Sequence, residues 1–300
     1  MPNAVPAGAD CSGLDDDVAV ERPEVGGVDE PSEVVPPVQV LLPTLTSSRP
    51  LQSAPAGTAF GTLVHSVMER VDFAAPHGRD ELRERCAELL HYRSLAIGPD
   101  ALAEGLLVAM DAPLGGPMGE RRLLDLERAD RLDELDFDLT LAGLDARAIA
   151  AVVARHLPDG DLLKPWFTET ATIGPVVDID GMLTGSIDLV GRTDGRYWLA
   201  DYKTNLLPDG DYGPEALAAA MAHHGYPLQA TLYLVALHRY LRWRVRGYDP
   251  DRHLGAAAYL FLRGMGPDAS TPGGSGIVWW RPPTASIQEL DRLLATGVAA

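Results

Sequence analysis

The dipeptide Asp194-Gly195 interrupts a strand-like run that extends from Gly185 to Lys203, and it limits that run to one geometry. A two-residue type I′ turn requires positive φ at both central residues, a condition that Asp-Gly meets at little steric cost. With those two residues as the loop, Thr193 pairs with Arg196, Val190 faces Leu199, and Asp188 faces Asp201 thirteen positions on. Directly opposed residues share one face of a sheet, and side chains alternate along a strand, so Lys203 belongs to the face of Asp201. The expected hairpin therefore gathers two carboxylates and one ammonium on one surface.

Two like charges held about 5 Å apart destabilise a hairpin unless something offsets them. A hard divalent cation does so: Mg²⁺ takes carboxylate oxygens while keeping waters and substrate phosphates in its shell. A lysine beside it can orient or deprotonate a water, or stabilise charge developing on a phosphate, which is the chemistry of metal-assisted phosphodiester hydrolysis. The alternative is a surface hairpin whose aspartates face water, and a slipped register would undo the arrangement. Of the 25 basic residues only two are lysines, Lys164 and Lys203. Where arginine is the default cation, a lysine at this point suggests a need for a compact, titratable ammonium.

Three hundred residues hold one large domain or two small ones, and an apolar fraction of 46% is enough for a sizeable core. The net charge of −18 weighs against a free-standing nucleic-acid-binding protein. Residues 1–45 carry nine acids and one base, which leaves −10 for the rest. The stretch 1–42 is also rich in Pro, Val and Gly without periodicity, and reads as a disordered acidic tether ahead of a domain at 43–300. Cys11 and Cys86 are too few for a disulfide framework. With no membrane-length apolar run and no signal-peptide pattern at the N-terminus, a reducing, cytoplasmic setting and no membrane are expected.

Phe60, Leu63, Val64, Val67 and Val71 form one helical stripe. His65 and Glu69 lie four apart on the flank away from it, either as an exposed polar face or as an imidazole and a carboxylate presented together. Residues 79–110 are expected to be helical, Leu135 to Leu139 to form a strand, and 143–156 a short helix. Val176–Asp180 and Met182–Val190 read as strands separated by a turn near Gly181, forming a meander with 196–203. After a loop with Pro208 and Gly213 come a helix at 214–223 and a stronger one beginning after Gly225, with Pro227 at a favoured first-turn position. Gln229 and Tyr233 form an i, i+4 pair on that second helix. Arg239, Arg242, Arg244 and Arg246 crowd its C-terminal end, suited equally to the helix dipole or to phosphate. Ala256 to Leu262 suits a buried strand, Pro267 to Gly276 a turn-rich loop, and Ile287 to Leu294 a terminal helix.

The chain lacks a Gly-x4-Gly-Lys-Ser/Thr loop, a CxxC pair, an HExxH element and a Gly-x-Ser-x-Gly element, which argues against ATP hydrolysis, zinc chemistry and a nucleophilic serine. The order helix, meander with Asp and Asp-x-Lys, helix, strand resembles the PD-(D/E)XK nuclease core. The segments GTLVHSVME, GMLTGSIDLV, GRYWLADYKTN, LQATLYLVALHRYLR and GAAAYLFLRG are similar to the C-terminal nuclease domain of the RecB family, the beta subunit of exodeoxyribonuclease V, over roughly residues 43–296.

That resemblance implies an α/β fold, a mixed central sheet flanked by helices. It implies that His65, Asp188 and Asp201 hold the metal with the backbone carbonyl of Tyr202, that Lys203 is catalytic alongside the two aspartates, and that Gln229 and Tyr233 lie near the DNA strand. Glu69 acquires no role. The implied activity is Mg²⁺-dependent hydrolysis of DNA without sequence preference, on single-stranded ends, in double-strand-break processing and recombinational repair. The implied partners are a RecB-type helicase with RecC and RecD subunits, and the acidic stretch corresponds to the tether that joins nuclease to helicase. Four cysteines for an iron–sulfur cluster are absent. The rival expectations are a nuclease-like module that has lost catalysis and serves protein interaction, and an RNA nuclease.

Overall fold

The computed structural model describes residues 49–75, 78–174, 179–266 and 276–296. The proposed tether at 1–42, most of the loop expected at 267–276 and the first part of the strand expected at 176–180 lie outside the described residues. Five strands form one mixed sheet in the order β1-β2-β3-β4-β5: Arg131–Leu144, Ile179–Thr193, Arg196–Lys203, Leu254–Phe261 and Ile277–Trp280. Only the β3–β4 pair is parallel. Parallel neighbours need a crossover, which here is helical: α6 (Pro214–His223), α7 (Tyr226–Arg244) and the short α8 (Pro250–His253). The result is the α/β, helix-flanked mixed sheet expected from sequence.

Each face of the sheet has its own core. Leu199, Ala257, Tyr259 and Phe261 pack with α7, with α4 (Ala146–His156) and with α9 (Thr284–Thr296). Trp198, Ala200, Tyr202, Ala258 and Leu260 face α1 (Thr58–Arg70), α2 (Gly78–His91) and α3 (Pro99–Met110). β4 is buried along its whole length, which explains why Ala256 to Leu262 is continuously apolar rather than alternating. The predicted α1 stripe, Phe60, Leu63, Val64 and Val67, is fully buried and leaves His65 on the helix flank nearest the end of β3.

Several elements differ from the sequence reading. No turn interrupts β2 at Gly181. The strand runs through with φ of 141° at that glycine and stays paired, Leu141 opposite Gly181. Glycine accepts that backbone where a side chain would be strained, and β1, longer than the expected Leu135 to Leu139, resumes pairing beyond it through a register shift between Leu141 and Leu144. The helical stretch 79–110 is two helices, divided where Pro99 opens α3. α4 begins at Ala146 rather than 143, because Asp145 caps it by accepting the Ala148 N–H at 2.8 Å. α5 (Lys164–Ile173), whose buried face is Phe167 alone, carries too little apolar pattern to be read in advance, and β5 is four apolar residues in a row, too short to show a period.

The segment before α1 is tied to the end of β3 by Arg263, which has no exposed surface. Its guanidinium donates to the carbonyls of Thr204 (2.6 Å), Leu51 (2.8 Å), Ala54 (2.8 Å) and Pro55, and lies 4.8 Å from the Phe60 ring centroid. Arg263→Met keeps the volume and strands those carbonyls. The substitution is expected to destabilise the fold by about 3 kcal/mol, read as a lowered urea midpoint with unchanged slope.

Candidate active site

The β2–β3 hairpin adopts the register expected from Asp194-Gly195. Thr193 pairs with Arg196, Val190 with Leu199 and Leu189 with Ala200. Asp194 and Gly195 take φ of 51° and 79°, as a type I′ turn requires. The ladder stops one pair short of Asp188 and Asp201. There Asp188 Oδ2 accepts the Tyr202 N–H at 2.7 Å, so a side chain replaces the strand backbone as acceptor. The two strands part at that point, and the largely buried carboxylates stand at the notch so formed.

Asp201 and Lys203 are 3% and 4% exposed, and Lys203 Nζ lies 2.9 Å from Asp201 Oδ2. That contact pairs the charges without the angles of a hydrogen bond, so Oδ2 keeps unused acceptor capacity. Burial pushes the Asp201 carboxyl up to about 6, against the pull of Lys203, and the Asp188 charge adds to the rise. For Asp188 burial works in the same upward direction, but His65 and the Tyr202 N–H outweigh it and hold its carboxyl below the usual range.

His65 arrives from α1 and closes the notch. Its Nδ1 lies 3.1 Å from Asp188 Oδ1 and its Nε2 2.9 Å from the Tyr202 carbonyl. Burial acts to lower its pKa, but the charge and hydrogen bond of Asp188, with the Asp201 charge behind them, raise it to about 9. At neutral pH the ring is therefore an imidazolium, with both N–H groups donating. The flank position that sequence left open is thus turned onto Asp188 and the Tyr202 carbonyl rather than to solvent.

Glu134 was not expected here. By register it stands opposite Asp188, between the pairs Asp133–Leu189 and Leu135–Ile187, yet it leaves the ladder with φ of 52°. That conformation is costly for a residue with a Cβ. Its Oε2 accepts the Ser186 hydroxyl at 2.6 Å. Burial, with the charges of Asp188 and Glu69, raises its carboxyl above the usual range. A signal was present in the sequence: in the adjacent pair Asp133-Glu134, alternation sends one carboxylate to each face, so neither face is free of acid. Glu69 itself remains an exposed neighbour of this group.

Gln229 and Tyr233 sit on α7 behind the notch, and their polar atoms are engaged within the protein. Gln229 Nε2 donates to Tyr233 Oη (3.1 Å), and Gln229 Oε1 accepts the Tyr259 hydroxyl (2.9 Å). Tyr259 in turn pairs with Asp201 across β3–β4. At the other end of α7, Arg239 and Arg242 are bonded to Asp291 of α9 at 2.5 and 2.7 Å. Those two arginines brace helices, which leaves Arg244 and Arg246 exposed.

Among the described residues, no three His, Cys, Asp or Glu side chains form a ready-made metal cage. The donor chemistry nevertheless fits a hard divalent cation. The His65 imidazolium already occupies two oxygen acceptors, Asp188 Oδ1 and the Tyr202 carbonyl, and Asp201 Oδ2 stands buried beyond them. Carboxylate and carbonyl oxygens are the ligands such ions take, and one neutral imidazole is compatible with them.

The profile of the PD-(D/E)XK nuclease superfamily matches residues 42–292. The chain belongs to that superfamily. Asp201-Tyr202-Lys203 has the form (D/E)-X-K, with Asp188 on the neighbouring strand. The chain is also similar to the RecBCD enzyme subunit RecB of Mycobacterium tuberculosis, 42% identical over 270 residues that make up 83% of this chain and 24% of that one. Against RecB of Mycolicibacterium smegmatis the identity is 37%, over 82% of this chain and 24% of the relative. For Escherichia coli K12 the values are 35%, 84% and 20%. This PD-(D/E)XK chain is therefore like the nuclease domain of RecB and spans about a quarter or less of the RecB chains it matches. Among the described residues no helix is long and apolar enough to cross a membrane.

The raised His65 pKa ties folding to pH. Because the folded state favours the protonated ring, the stabilisation is complete below pH 6.5 and is lost as pH rises through about 9. Asp201, raised to about 6, acts in the same direction at lower pH, since folding opposes its ionisation. In EDTA the melting temperature is expected to fall between pH 6.5 and 9.5. The loss corresponds to at most about 3 kcal/mol, reduced by solvent screening of the ring. His65→Gln should flatten that slope; an equal slope in the variant would assign it to other groups.

Proposed function

We propose that this chain is a divalent-metal-dependent deoxyribonuclease, the nuclease module of a RecBCD-type helicase–nuclease of the exodeoxyribonuclease V kind. The observation that carries this reading is the convergence of His65, Asp188, Asp201, Lys203 and the Tyr202 carbonyl at the parting of β2 and β3. Mg²⁺ held by Asp188, Asp201, the Tyr202 carbonyl and neutral His65 would supply Lewis-acid polarisation of a phosphate oxygen and a water of lowered pKa. To serve as a ligand His65 gives up one ring proton, so ion and proton compete for one position. Lys203 Nζ brings a fixed positive charge to the phosphate, where negative charge grows during in-line attack by water. Glu134, opposite Asp188, adds a carboxylate able to accept hydrogen bonds from waters in the notch.

Nothing in this arrangement reads a base edge, so the strand is bound through its backbone without sequence preference. The chain's −18 charge opposes DNA affinity. Delivery of single-stranded ends by a RecB-type helicase with RecC and RecD subunits accounts for binding to such a surface, and ATP is consumed there rather than in this chain. Gln229 and Tyr233 fit support of the site from behind, with DNA proximity through Tyr233. The same acidity leaves one other reading, a nuclease-like interaction module without catalysis.

Labelled single-stranded DNA separates these. Purified protein with Mg²⁺ should degrade it, EDTA should abolish degradation, and Lys203→Ala should reduce it by about two to three orders of magnitude. A folded protein that binds Mg²⁺ but cleaves nothing, alone or with helicase subunits, would leave the interaction module. A matched RNA strand tests the choice of nucleic acid. Glu134→Gln is expected to cut turnover about tenfold while the melting temperature holds or rises, because a half-buried like charge is removed beside Asp188.

A further inference from the structure

Lys203 Nζ is held from two directions. Asp201 Oδ2 lies 2.9 Å away, and the face of the Tyr226 ring lies beneath it with its centroid at 4.0 Å. The Tyr259 ring lies farther off, at 5.7 Å. We propose that Tyr226 is a positioning residue for the reaction, its ring face seating the Lys203 ammonium at the notch. This inference rests on the nuclease reading of Lys203.

The reason lies in what an ion pair alone would do. Lysine carries its charge on a flexible four-carbon stem, and its ammonium follows whichever acceptor is strongest. If Asp201 were the sole partner, a divalent cation drawing on that carboxylate would weaken the pair and repel the ammonium. An aromatic face attracts the cation through its quadrupole, most strongly when water is excluded. It cannot take the proton or ligate the metal. A ring therefore holds Nζ near Asp201 without spending the carboxylate's acceptor capacity.

The ring is itself fixed by parts that also fix the lysine. Gly225, with φ of 68°, makes the sharp junction between α6 and α7 and places Tyr226 at the first turn of α7. The Tyr226 hydroxyl donates to Asn205 Oδ1 at 3.1 Å, and Asn205 lies two residues beyond Lys203 on the same chain segment. His224 stacks on the Tyr226 ring, with centroids 5.2 Å apart and planes 19° apart, and its Nε2 lies 3.4 Å from Asn205 Nδ2. Tyr259 stacks at 5.3 Å and 27°, while its hydroxyl reaches the Tyr226 carbonyl at 3.1 Å. Tyr226 is 1% exposed and Tyr259 fully buried, so the seat has no room to tilt. Ring and ammonium are thus referred to the same strand end.

The chain's two lysines make the seat directly observable. With ¹³C-labelled lysine the protein gives two sets of ε-methylene signals, which Lys164→Arg assigns. Protons above an aromatic face shift upfield, so the Lys203 ε protons should resonate upfield of those of Lys164. Tyr226→Phe should preserve that shift, and Tyr226→Met should move it most of the way back. In DNA cleavage Tyr226→Met should lose about tenfold in kcat with KM within about twofold, and Tyr226→Phe should stay within about threefold of the unmutated protein. Coincident Lys203 and Lys164 signals in the unmutated protein would overturn the seat, whether or not any variant folds. So would a folded Tyr226→Met that cleaves at full kcat while Lys203→Ala does not. If Lys203→Ala itself cleaves normally, the nuclease reading of Lys203 fails and takes the positioning role with it, even where the ring shift persists.

Discussion

Two carboxylates buried where β2 and β3 part set the terms for the rest of this molecule. Asp188 and Asp201 have lost most of their water, and carboxylates in that condition either protonate or acquire cations. Two cations come to them from different layers. His65 reaches in from α1 on one side of the sheet, and Lys203 rises from β3 on the other. The tertiary structure reads as a means of holding those two groups in place. A fully buried stripe fixes α1, Arg263 ties the approach to α1 to the carbonyl of Thr204, and β4 covers β3 along its length.

The local rules of folding are broken at this point and largely obeyed elsewhere. Glu134 takes a left-handed backbone conformation opposite Asp188, the β2–β3 ladder ends before its geometric limit, and a histidine carries a proton well above its usual pKa. Strain and closely packed buried charge concentrated in one notch are the expected signature of a site shaped for a ligand rather than for stability. The free protein resolves the tension with protons, and a divalent cation would resolve it with charge. The same oxygen atoms serve both.

Much of this was legible in the residues. Asp-Gly specified the hairpin, and counting outward from it brought Asp188, Asp201 and Lys203 to one place, because a two-residue loop leaves no freedom of register. The α1 stripe followed from hydrophobic period, the buried β4 from an unbroken apolar run, and the long α7 from apolar spacing with Gly225 and Pro227 marking its start. Gly181 misled, since glycine marks both a turn and a strand that bends without turning. α5 buries Phe167 alone and leaves no pattern, and β5, four apolar residues without alternation, is too short to declare its period.

His65 shows where periodicity stops. Its place on the helix flank was plain, but whether that flank met water or Asp188 depended on how α1 packs, 123 residues away along the chain. Glu134 and Tyr226 needed the fold outright, since their partners sit on strands and loops far from them in sequence. By itself the sequence determined the hairpin register, the hydrophobic faces and the residue types gathered at one strand end, all consequences of short-range geometry and burial. Only the tertiary structure decided which charge meets which, how far each is desolvated and what holds the lysine, because those depend on contacts between distant segments that no local pattern encodes.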